Sequence, residues 1–71
     1  MHGYNMKIAI WKDNVPKVDR IPVAIADEEE GKMMTAVIAK EKANEYQLEV
    51  STALYQGERL VSSHRALPAP I

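Results

Sequence analysis

The segment ADEEEGKMMTAVIAKEKAN, residues 26–44, decides what this chain can fold into, because the stretches on both sides of it alternate like strands. As a helix it would separate two strand pairs. As a strand it would extend them. The helix reading rests on the two ends. Asp27 followed three residues later by Glu30 resembles a capping box, with Asp in place of Ser or Thr. Carboxylates at residues 27–30 favour a helix N-terminus, and Lys40 and Lys42 favour its C-terminus, through the helix macrodipole. Asn44 can serve as the C-terminal cap. The alanines, methionines and the Lys/Glu mix between these ends are good helix formers. Gly31 counts against the helix, at about 1 kcal/mol relative to alanine. The rival reading is a hairpin, in which IPVAIA leads through a turn at EEEGK into a strand MMTAVIA. The ends decide in favour of one helix over residues 28–43.

In NMKIAIWK, Met6, Ile8 and Ile10 alternate with Lys7, Ala9 and Trp11, the period of a half-buried strand. Asp13, Asn14 and Pro16 in DNVPK are turn chemistry. RIPVAIA places Ile21, Val23 and Ile25 on one face. Pro22 cannot donate a ladder hydrogen bond, which points to an edge strand. EYQLEVSTALY sets Tyr46, Leu48, Val50, Thr52 and Leu54 against a second, mostly polar set. QGE is a short turn with Gly57 at positive φ, and RLVSSHRAL returns as the partner strand. The order strand, strand, helix, strand, strand predicts an α+β domain: a four-stranded antiparallel sheet with one helix on one face. The hairpin reading predicts an all-β alternative, a small five-stranded barrel. The single domain spans residues 1–67. Met6 is a second candidate start, which would make residues 1–5 an upstream extension. Residues 68–71, PAPI, form a stiff proline-rich tail.

A chain of 71 residues buries a small core and needs help to hold it. It has no cysteine, which excludes a disulfide framework and a thiolate zinc site. His2 and His64 cannot build a closed metal site alone, so no metal and no cofactor are expected. Self-association is the remaining common route, and a homodimer is expected. The apolar share of 46 % and charged share of 27 % suit a globular domain rather than a disordered one. A net charge of −1 supplies no global field toward nucleic acid or an anionic membrane. No apolar run is long enough to span a bilayer, and MHGYNMKIAI lacks the pattern of a signal peptide. A cytoplasmic protein without membrane contact is the expectation.

On a helical wheel Met33, Met34, Val37 and Ile38 cover one broad face, fit to pack on a sheet. Ala36, Ala39 and Ala43 lie on another side, where small residues would admit a partner's backbone. Met33 and Met34 also suit an adaptable interface, as does Tyr55. Four consecutive acids at 27–30 point in different directions on a helix, so they read as a solvated terminus rather than a cation site. Ser62, Ser63 and His64 invite a nucleophile-and-base reading. No orienting third group or oxyanion hole accompanies them, and catalysis is not expected. Trp11 with Lys7, Lys12, Lys17 and Arg20 forms the secondary candidate, a nucleic-acid surface of stacking ring and cations. The leading expectation is a non-catalytic protein-interaction module: a regulator or inhibitor of a larger protein, or a subunit of a symmetric assembly.

Overall fold

The computed structural model describes residues 3–70. Its elements are β1 (Tyr4–Lys12), β2 (Val15–Val23), α1 (Glu28–Tyr46), β3 (Glu49–Gln56) and β4 (Arg59–Ala66). The strands form one open antiparallel sheet in the order β2-β1-β3-β4. The α+β architecture expected from the sequence is present. The barrel is not, since residues 32–40 are helical and the sheet has two free edges. α1 lies over β3 and β4 and scarcely reaches β1.

Two short turns set the register. Asp13 and Asn14 join β1 to β2 at φ 53° and 64°, the paired left-handed conformations of a type I′ turn. Lys12 then faces Val15 as a hydrogen-bonded pair, and alternate residues of β2 bond to β1 from there on. Pro16, opposite Trp11, and Pro22, opposite Asn5, occupy the intervening positions, whose nitrogens point away from the sheet. A strand with two prolines therefore forms without losing a ladder bond, provided it is an edge. The expected loop DNVPK shrinks to two residues, and β2 begins five residues before RIPVAIA. Gly57 takes φ 62° at the first turn position between β3 and β4, the place a type II′ turn reserves for glycine. A bulge opposite Leu54 and Tyr55 turns Val61 against the core while Ser62 still reaches the helix.

At the start of α1, Asp27 Oδ1 accepts from the Glu30 N–H at 2.9 Å, while Glu30 Oε2 accepts from the Ala26 N–H at 3.1 Å. The box is reciprocal but reaches one residue further back than the usual pattern. The helix continues three residues past the expected end. Its cap is Gln47, left-handed at φ 55° and ψ 41°, with its N–H on the Ala43 carbonyl. Lys40 and Lys42 consequently lie inside the helix, and the last turn carries no base. Asn44 does not cap the helix but holds the tail. Its Oδ1 accepts from the Ala69 N–H at 2.9 Å, which ties the proline-rich segment to the end of the helix. At the other end, Tyr4 and Asn5 pair with both neighbouring strands.

The side of α1 that meets the sheet is the column Gly31, Thr35, Ala39 and Ala43, all buried at four-residue spacing. Small side chains let the helix axis come close. A Cβ at Gly31 would collide with the Leu54 side chain and lie 2.8 Å from Ile25. Gly31 thus leaves room for the Leu54 and Ile25 side chains at this crossing, which offsets its poor helix propensity. Thr35 fastens the middle of the crossing. Its carbonyl accepts from Thr52 Oγ1 at 2.7 Å, and its hydroxyl lies 3.4 Å from Ser62 Oγ. Beneath the helix, Met6, Val50 and Leu54 are completely buried, with Ile8 beside them. Tyr4, Ile10, Val23, Ile25, Met34 and Ile38 surround this small core.

Candidate interaction surfaces

The two apolar sides of α1 keep the roles expected for them only in part. Ala39 and Ala43 are 0 % exposed and face the chain's own sheet, so they are not a docking face. The physical reason is closeness: a helix crossing a sheet at short range selects its smallest residues for the contact. Of the broad face, Met34 and Ile38 pack against the core, but Met33 is 68 % and Val37 50 % exposed. Ala36 is half-buried and lies with Val37 and Lys40 along a groove of about 350 Å³ beside His64, Ala66 and the exposed Leu67. Ala36, Val37, Ala66 and Leu67 therefore form an apolar strip beside the free edge of β4, and the exposed Met33 lies one helical turn before Val37.

The two sheet edges differ. β2 presents outward nitrogens at Pro16, Val18, Arg20 and Pro22, and only the middle two can donate. β4 contains no proline. Beyond its bulge the stretch Ser62–Ala66 pairs regularly with β3, leaving the backbone groups of Ser63 and Arg65 directed outward.

The face of the sheet opposite α1 carries Lys7, Ala9 and Trp11 from β1, Arg20 from β2, Ser51, Ala53 and Tyr55 from β3, and Ser63 and Arg65 from β4. Small residues in its middle leave a depression of about 390 Å³. Trp11 Nε1 donates to Ser51 Oγ at 3.2 Å, which holds the indole across β3. The Arg20 guanidinium lies 6.0 Å from the centre of the Tyr55 ring. Arg65 pairs with Glu49 at 2.6 Å. Of the nucleic-acid candidates, Lys7, Trp11 and Arg20 share this face. Lys12 and Lys17 alternate onto the other one, near Tyr46 and Leu48. Tyr55 and Arg65 complete the open face. Sequence reasoning had no register with which to place them there.

The remaining candidates have ordinary structural employment. Asp27 and Glu30 cap α1, and Glu28 pairs with Arg59 at 2.7 Å. The hydrogen bond and charge of Arg59 hold the Glu28 carboxyl below its usual range. Ser62 turns to Thr35 under the helix, and His64 is exposed at the edge of the sheet. His2 lies outside the described residues. Among the described residues no three acids or histidines are grouped to hold a metal ion, and no helix is long and apolar enough to cross a membrane. No protein-family model matches the chain, and no curated protein or solved structure is significantly similar to it, so its function is to be read from these surfaces.

Proposed function

We propose that the chain is a non-catalytic interaction module that pairs with a second copy of itself along β4. The observation that carries this reading is the asymmetry of the edges: prolines block β2, whereas β4 is free from Ser62 to Ala66 and flanked by exposed apolar side chains. A second β4 laid antiparallel on the first would continue the ladder through Ser63 and Arg65. The same two-fold axis would bring the groove lined by Ala36, Val37 and Leu67 of each copy toward that of the other. Self-complementary use of one patch is the property a symmetric dimer needs. The small core adds a motive, since a chain with so few buried large side chains gains from further burial. Attachment to a larger protein through the same edge is the regulatory variant of this function.

Sedimentation across a concentration series tests the reading. The expected result is a dimer that dissociates on dilution. Val37→Glu places a charge in the apolar strip, and Ser63→Pro removes an outward donor without touching a bond to β3. Both variants are expected to be monomers with an unchanged circular-dichroism spectrum. A wild-type chain that stays monomeric at millimolar concentration sinks the proposal, as does a dimer indifferent to both substitutions.

A further inference from the structure

Lys7 and Arg20 stand directly opposite each other in the β1–β2 ladder. Like charges in opposed positions repel and weaken a sheet. Neither belongs to an ion pair among the described residues. Arg20 leans instead over Tyr55, and Lys7 borders the depression floored by Ala9, Ser51 and Ala53. Two uncompensated cations beside a shallow trough define a place for an anion. The aromatic rings say which kind. Trp11 and Tyr55 stand at opposite ends of the trough, set by ladder positions six residues apart along β3, about 20 Å at the rise of a strand. Two rings spaced along one trough suit separate bases of an extended strand, with other nucleotides between them, better than one small molecule.

We propose that the open sheet face binds single-stranded nucleic acid, with bases stacked on Trp11 and Tyr55 and phosphates against Lys7 and Arg20. The carboxylates of residues 27–45 belong to α1 and its cap, on the other side of the sheet. Asp13 and Glu49 border the Trp11 end, and Glu49 is engaged by Arg65. A duplex hides its base faces and offers the two rings nothing to stack on, so discrimination against it is part of the proposal.

Trp11 is the single tryptophan and reports directly. Titration of the full chain with a mixed-sequence single-stranded oligonucleotide at low salt is expected to quench its fluorescence. With two phosphates engaged, the logarithm of affinity should fall against that of salt with a slope of about −1.4. Tyr55→Ala should weaken binding about ten-fold, and Tyr55→Phe should preserve it. Lys7→Glu gives the sharper test, because it turns a repelling pair into an attracting one. Its melting temperature should stay level or rise while binding is lost, a combination that damage to the fold does not produce. Absence of quenching at low salt overturns the proposal. So does equal affinity for duplex DNA or for polyglutamate, since either would reduce the face to a general anion surface, and so does equal affinity for a mononucleotide.

Discussion

Gly31 shows how one residue can mislead a sequence reading and then explain the structure. In a helix it is a weak residue, and in the rival hairpin it fits the turn. Its actual reason is lateral: Leu54 and Ile25 occupy the space where its Cβ would be. Nothing local in EEEGK announces a strand residue twenty-three positions away. Gly31→Ala gains helix propensity but forces a methyl into a contact with the completely buried Leu54. Overpacking outweighs propensity there, and a loss of about 1–2 kcal/mol is expected in urea unfolding. A more stable variant would show that the crossing can widen freely. Gln47 is a second such residue. Its left-handed cap lets the helix absorb Glu45 and Tyr46, which alternate in phase with the strand that follows. Glycine at that position would have made the boundary readable.

Among the elements, those whose signals are local were legible. The capping carboxylates, the alternation of β1, and Gly57 each act within a few residues, and each is found where the sequence puts it, whereas β3 starts four residues later than its alternation predicts. What failed was the choice between faces. Both sides of α1 are apolar enough to be buried, and which one meets the sheet depends on how close the crossing is. The beginning of β2 failed for a related reason: Pro16 reads as a turn residue until the register shows that its nitrogen points outward. The open face was half legible, because Lys7 and Trp11 alternate together whereas Arg20, Tyr55 and Arg65 join them only through strand pairing. The N-terminus of α1 also carries a pH dependence. Arg59 lowers the folded-state pKa of Glu28, so the ion pair stabilises at neutral pH and the contribution disappears as acid protonates the carboxyl. Both groups are exposed, and the effect is small. Glu28→Gln should therefore melt slightly below the wild type at pH 7, and the gap should close as falling pH protonates the carboxyl. A gap that keeps its size in acid would remove the pair as its cause.

For the molecule as a whole, the placement of charge matters more than its sum. A net charge of −1 conceals a helix rich in carboxylates on one side of the sheet and Lys7, Arg20 and Arg65 on the other. The two prolines of β2 have a further consequence, best put in the language of polymerisation. A flat sheet with two free margins is a bifunctional monomer, and pairing at both margins propagates without limit. With one margin closed the monomer is monofunctional, and growth terminates after a single addition. Pro16 and Pro22 act as chain terminators in this sense, each withholding a donor from any incoming strand. Replacing both with threonine restores the two donors and leaves the bonds to β1 in place. The double variant is expected to scatter light and bind amyloid dyes at concentrations where the wild type stays small. If its particle size matches that of the wild type, the prolines do not set the limit to assembly.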